Sequence, residues 1–108
     1  MKTSTIQFTI ELDDKNFPEK ILWNATDKHE AGASPTKAIG LSIWDPEQQN
    51  TLRIDLWTKD MQVDHMKRFY IDTIGSLAQS ALQATGDEEM AREMSELCER
   101  LVKFVSKG

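Results

Sequence analysis

The chain is poor in the residues that build most metal, redox and cofactor sites. Its 108 residues include one cysteine and two histidines, His29 and His65. A single cysteine excludes an internal disulfide and a zinc site built from several thiolates. The histidines lie in no HxH or HExxH spacing, and no EF-hand loop occurs. We therefore predict neither a metal site nor a cofactor.

Long apolar runs and an excess of basic charge are also missing. The N-terminus alternates apolar and polar residues, so it carries no signal-peptide core. No run approaches the roughly 20 apolar residues that a membrane-spanning helix needs. The formal net charge is −5, which argues against nucleic acid and anionic lipid as ligands. These absences predict a cytoplasmic protein without nucleic-acid binding or membrane insertion.

What is present suits one small folded domain. Hydrophobic residues make up 39% and charged residues 29% of the chain, which is not the composition of a disordered segment. A chain of this length buries about two thirds of its surface on folding. We predict a single domain over residues 1–108.

The first half of the chain alternates with the period of a strand. Four strands are predicted, over about 3–12, 19–26, 36–44 and 51–58, with a loop over 27–35. In the first hairpin, pairing Leu12 with Glu19 sets Ile10 opposite Ile21, so that inward residues meet inward residues. In the second hairpin, pairing Ile43 with Leu52 does the same.

The second half repeats every three to four residues and predicts two helices. Asp64 is expected as the N-cap of the first, with Val63 as a hydrophobic staple. Gly86 would end that helix in the left-handed conformation, and Asp87 would cap the second, over about 88–105. The fold class predicted is α+β, with a four-stranded antiparallel sheet of two hairpins and two helices packed on one face.

Few side chains suggest catalysis. Cys98 lies beside the apolar stripe of the second helix, which favours a buried small hydrophobe over a nucleophile. Arg53 and Asp55 point outward from the fourth strand and could do acid–base work. A solvated cross-strand ion pair is the favoured interpretation of these two residues. We predict that the protein is not an enzyme.

The predicted outer face of the sheet carries an unusual amount of apolar surface. Trp44, Trp57 and Leu22 lie there, together with Arg53 and Asp55. Exposed apolar patches often mark interaction sites, and tryptophan is enriched in binding hot spots. These five residues are the candidate interaction patch. The alternative is that each tryptophan only covers local backbone or a sheet edge, and the pattern leaves both interpretations open.

Three segments resemble one known family. They read PEKILWNATD at 18–27, NTLRIDLWTKDM at 50–61 and MKRFYIDT at 66–73. These segments resemble the GldC family of gliding motility-associated proteins from the Bacteroidetes. The resemblance implies a GldC-like domain that accompanies the gliding and type IX secretion machinery as an accessory without enzymatic activity. Its implied partners are proteins of that machinery, or a second copy of the chain. No catalytic residues are carried over.

The order of the elements gives an alternative function. Four strands followed by two helices resemble the core of the SecB export chaperone. That likeness rests on topology alone and is an analogy. It would make the domain a chaperone module that binds exported clients.

Overall fold

The computed structural model describes residues 1–29 and 32–106, so Glu30 and Ala31 of the predicted loop lie outside the described residues. The elements are β1 (Ile6–Leu12), β2 (Pro18–Ala25), β3 (Ser34–Thr36), β4 (Ala38–Asp45), β5 (Asn50–Trp57), α1 (Val63–Thr85) and α2 (Glu88–Ser106). All strands belong to one compact unit, Met1–Met61, and both helices to a second, Gln62–Gly108. The α+β class is confirmed. The single-domain organisation and the packing of the helices on a sheet face stay predictions.

The strands form two sheets, so the prediction of one four-stranded sheet is wrong. One sheet has the order β1-β2-β3 and the other is the hairpin β4-β5, with antiparallel pairing throughout. The predicted third strand combined parts of both sheets. The chain leaves β3 at Thr36 and enters β4 at Ala38, and the carbonyl of Lys37 between them accepts a hydrogen bond from the amide of Thr58 at 2.8 Å. Lys37 is therefore the point at which the chain passes from the first sheet to the second.

The predicted register is confirmed in both hairpins. Ile10 pairs with Ile21, which is fully buried, and Ile43 pairs with Leu52. An irregularity between Glu11 and Leu12 pairs Leu12 with Pro18. The prediction that Leu12 pairs with Glu19 is therefore wrong by one residue.

The inward face of the β4-β5 hairpin is less buried than its alternation suggests. The exposed fractions are 49% for Ile43, 50% for Leu52 and 45% for Ile54. Alternation decides which side of a strand a residue faces, whereas burial also needs a second layer against that side. Within the strand unit alone, these three residues do not form a buried core.

The segment after β5 ties the two sheets together. Thr58 is only 3% exposed, and the amide of Lys59 donates to the carbonyl of Pro18 at 3.2 Å. The Lys59 ammonium lies 2.9 Å from Asp13 Oδ2 and 3.3 Å from Glu19 Oε1. Asp60 accepts hydrogen bonds from the Thr58 hydroxyl at 2.6 Å and from Lys37 Nζ at 3.1 Å. Backbone and charged groups therefore converge on the same junction.

Hydrogen bonds and charges at this junction shift three pKa values. The backbone amide of Phe17, followed by the Lys59 ammonium, lowers the pKa of Asp13 from its ordinary 3.8. The Thr58 hydroxyl, followed by Lys37, lowers the pKa of Asp60. Hydrogen bonds to Asp13 and Glu19 raise the pKa of Lys59.

The helix unit is a hairpin with a two-residue connection. Gly86 ends α1 with a φ of 72°, and its amide donates to the carbonyl of Leu82 at 2.8 Å. Asp87 Oδ1 accepts from the amide of Met90 at 2.9 Å, so the predicted joint between the helices is confirmed. Cys98 is half-buried, and its thiol donates to the carbonyl of Ile71 at 3.5 Å. The cysteine thus packs between the helices.

The predicted start of the first helix is wrong. The helix begins at Val63, its N-cap is Gln62, and no side chain supplies a capping hydrogen bond. The carbonyl of Gln62 accepts from the amide of Met66 at 2.9 Å, which places the cap two residues before Asp64. Asp64 lies in the first turn, where a carboxylate is favoured by the helix dipole. Val63 is 69% exposed and forms no staple.

Substitutions at the helix joint should lower the free energy of unfolding. Asp87→Ala removes the cap of α2 and should cost about 0.5–2 kcal/mol. Gly86→Pro should cost more, because proline cannot adopt a positive φ and has no amide to donate to Leu82. Urea unfolding followed by circular dichroism measures both, with Gln83→Ala as a control on the exposed side of α1. An unchanged midpoint in the proline variant would contradict this account of the joint.

Acid should weaken the strand unit through Asp13 and Asp60. A carboxyl whose folded pKa is lowered contributes stability above its ordinary pKa, and this contribution is lost as the pH falls through the folded value. Asp13→Asn should therefore start less stable than wild type at neutral pH and lose less on acidification. Unfolding midpoints across the acid range measure this, and Asp14→Asn removes the same charge from the same turn as a control. Parallel acid profiles for wild type and Asp13→Asn would contradict it.

Candidate interaction surface

The candidate surface is one face of the β4-β5 hairpin, called here the outer hairpin face. The register pairs Trp44 with Thr51, and alternate residues of paired strands share a face. The outer hairpin face therefore comprises Ala38, Gly40, Ser42, Trp44, Thr51, Arg53, Asp55 and Trp57. Four of the five predicted patch residues are among them.

Two tryptophans stand at opposite ends of this face. Trp44 is 61% exposed and Trp57 is 48% exposed. Trp57 pairs with Ala38, so a small side chain lies opposite a large ring. The six-residue step from Thr51, which pairs with Trp44, to Trp57 corresponds to about 20 Å along the strand. The face thus offers two separated aromatic side chains to solvent.

Between the tryptophans, Arg53 and Asp55 form the ion pair that the sequence favoured. Arg53 Nη2 lies 2.5 Å from Asp55 Oδ1, and Nε lies 3.4 Å from Oδ2. Nη1 also donates to the hydroxyl of Ser42 on the neighbouring strand. The pair runs along β5 and not across the hairpin, so the prediction of a cross-strand pair is wrong in this respect. Its two-pronged geometry holds the guanidinium over the sheet, while both side chains remain partly exposed.

Leu22 is separated from the other four patch residues by the division into two sheets. It lies on β2, half-buried, and pairs with Thr9 on one side and Pro35 on the other. The expected patch of five residues on one sheet face is therefore wrong in this respect. The pairing joins Trp44, Arg53, Asp55 and Trp57 and leaves Leu22 in the other sheet.

Phe17 was missed as a neighbour of this face. It is 58% exposed, at the end of the turn between β1 and β2. A shallow cavity of about 410 Å³ is lined by Phe17, Pro18, Asp55, Leu56, Trp57 and Lys59. The hydrogen bond from the Lys59 amide to Pro18 and the ion pairs of Lys59 with Asp13 and Glu19 bring the turn to the end of β5. No local sequence pattern predicts these contacts.

The sequence analysis also missed that neither apolar face of the hairpin is fully covered within the strand unit. Ile43, Leu52 and Ile54 lie on the face opposite the tryptophans and are about half exposed. The signal was present in the neighbouring pairs Ile43-Trp44 and Leu56-Trp57, where strict alternation of apolar and polar residues breaks down. Adjacent apolar residues on one strand must point to opposite faces.

Over residues 1–29 and 32–106, no three His, Cys, Asp or Glu side chains cluster in a way that could hold a metal ion. In the same part of the chain, no helix combines the length and apolar character needed to cross a membrane.

Comparison with known proteins gives a family. A family model described as gliding motility-associated protein GldC-like matches residues 18–107. The match starts at β2 and includes the hairpin with both tryptophans. No curated protein and no solved structure matches the chain. Because the family model covers most of the chain and agrees with the resemblance of its three segments, the chain belongs to the GldC-like family of gliding motility-associated proteins.

Proposed function

We propose that this protein is a non-enzymatic accessory of bacterial gliding motility and type IX secretion that acts in the cytoplasm. It works by presenting the outer hairpin face to a protein partner of that machinery. The observation that supports this proposal is the pair of half-exposed tryptophans on one face of a hairpin whose register is set by eight residue pairs.

The two tryptophans supply the apolar part of the binding surface. A tryptophan buries about 150–250 Å² when covered, so the exposed parts of Trp44 and Trp57 leave roughly 200 Å² for a partner to remove from water. Tryptophan is the side chain most enriched in binding hot spots. The cavity beside Trp57 adds a concavity that could receive an apolar side chain of the partner.

The Arg53–Asp55 ion pair would fix the orientation of the partner on this face. Arg53 and Asp55 are already bonded to each other, so covering them leaves no isolated buried charge. A partner must nevertheless match a positive group on one side and a negative group on the other. Such polar groups contribute more to specificity and orientation than to affinity.

A chaperone module is the second candidate. The observation in its favour is the second apolar face of the hairpin, with Ile43, Leu52 and Ile54 about half exposed. A chaperone of exported clients would use both faces and would suppress aggregation of an unfolded protein. An accessory with one dedicated partner would lack this activity.

Trp57→Ala should weaken binding of the partner more than it harms folding. Loss of a half-exposed ring should cost about 1–2 kcal/mol of stability, below the 3–5 kcal/mol of a core aromatic. A hot spot would lose 2 kcal/mol or more of binding, about 30-fold in affinity. The measurements are the melting temperature and the recovery of crosslinked partners from native cells.

Ile6→Ala serves as the control, because Ile6 is a 70% exposed apolar residue of the other sheet. It should leave partner recovery unchanged. A Trp57→Ala variant that unfolds would place this ring in the core and overturn the register argument. A stable variant that keeps every partner would show that Trp57 only covers local backbone or a sheet edge and does not bind a partner.

A further inference from the structure

Several apolar residues of α1 and α2 remain exposed after the two helices pack against each other. Ile71, Ala78 and Ala91 are buried, and a Cβ at Gly75 would lie 3.3 Å from the sulfur of Cys98. These residues mark the stripe on each helix that faces the other helix. A second stripe of apolar residues is exposed, represented by Tyr70, Leu77, Met90 and Leu97, whose exposed fractions are 41–49%.

Helix geometry places both second stripes on one side of the hairpin. At 100° per residue, each second stripe lies about 100° around its helix from the stripe that faces the other helix. Because helices joined by so short a connection run in opposite directions, the two rotations lead to the same side. The resulting surface, called here the second helix face, comprises Met66, Tyr70, Ile74, Leu77, Ala81, Met90, Met94, Leu97, Leu101 and Phe104.

The charged residues that border this face on α2 have opposite signs on the two sides of Leu97, the middle of the helix. Glu93 precedes Leu97 by about one turn, and Arg100 follows it by about one turn. Seven residues separate Glu93 from Arg100, so both lie on the same side of α2. The start of the helix is acidic, with Glu88 and Glu89, and its last turn is basic, with Lys103.

We propose that the second helix face binds a second copy of the chain, with α2 packed antiparallel against α2 of the other copy about a two-fold axis near Leu97. This arrangement brings Glu93 of each copy beside Arg100 of the other, so the pair forms twice. A parallel arrangement would instead set the acidic helix starts against each other. Isologous contact of two helical hairpins gives a four-helix bundle, which is a stable way to cover apolar stripes.

The dimensions of the face suit such a dimer. The 19 residues of α2 and the 23 of α1 correspond to lengths of about 28 and 34 Å. With axes about 8–10 Å apart, the hairpin presents a face of roughly 30 by 20 Å. The resulting ~600 Å² per copy approaches the ~800 Å² that each partner buries in an interface of standard size.

The charge pair provides the sharpest test. Sedimentation velocity of the full chain over a range of concentrations should show a monomer–dimer equilibrium. Arg100→Glu, and separately Glu93→Arg, should each raise the dissociation constant roughly tenfold, because each change turns two attractive pairs into two repulsive ones. The double variant Glu93→Arg/Arg100→Glu should return it to within a few-fold of wild type. Lys2→Glu, in the strand unit, controls for net charge.

A crosslink tests the position of the axis. In a Cys98→Ala background, Leu97→Cys should form a disulfide-linked dimer on mild oxidation, whereas Glu99→Cys, on the opposite side of α2, should not. Circular dichroism of each variant confirms that it is folded.

Three results would overturn the proposal. The first is a monomer at every concentration, which would mean that the second helix face does not bind a second copy of the chain. The second is a dimer that Arg100→Glu and Glu93→Arg do not weaken but Ile54→Glu abolishes. The third is equal crosslinking at the two cysteine positions.

Discussion

The pairing of Ile43 with Leu52 is the constraint on which the candidate surface depends. Side chains alternate along a strand, so this one pairing sends Trp44 and Trp57 to the same face. It also sets Ser42 opposite Arg53, within reach of the guanidinium. A slip of one residue between the strands would exchange part of the outer face for the aliphatic inner face. The hairpin register therefore determines the proposed interaction surface as well as the fold.

Both units have more apolar surface than they cover by themselves. The hairpin has two apolar faces and only two strands, and a two-stranded sheet contributes no second layer of its own. The helices have two apolar stripes each, and one stripe is enough for their mutual contact. We propose that charged groups orient the partner on each of these faces, Arg53 and Asp55 on the hairpin and Glu93 and Arg100 on α2. In this account the uncovered apolar surface is the basis of function.

The sequence predicted what local chemistry determines. Alternation was enough for the register, because it compares residues within one strand pair. Gly86 was recognised because a positive φ favours glycine, and Asp87 because a carboxylate caps helix amides. The break at Lys37 was not predicted, because it rests on a hydrogen bond to Thr58, which is distant in sequence.

The same limit applies to the candidate surface. The four hairpin residues were grouped correctly, since a single register relates them. Leu22 was placed in the wrong group, because alternation shows on which side of its strand a residue lies but not to which sheet that strand belongs. Phe17 was missed, because its position depends on the contact between Lys59 and Pro18.

The central claim, that the outer hairpin face binds a protein partner, is tested most directly by a photo-crosslinking amino acid at position 44 or 57 in native cells. The account predicts one defined adduct from both positions and none from position 9 of β1, whereas equal adducts from position 9, or none from the hairpin, would contradict it.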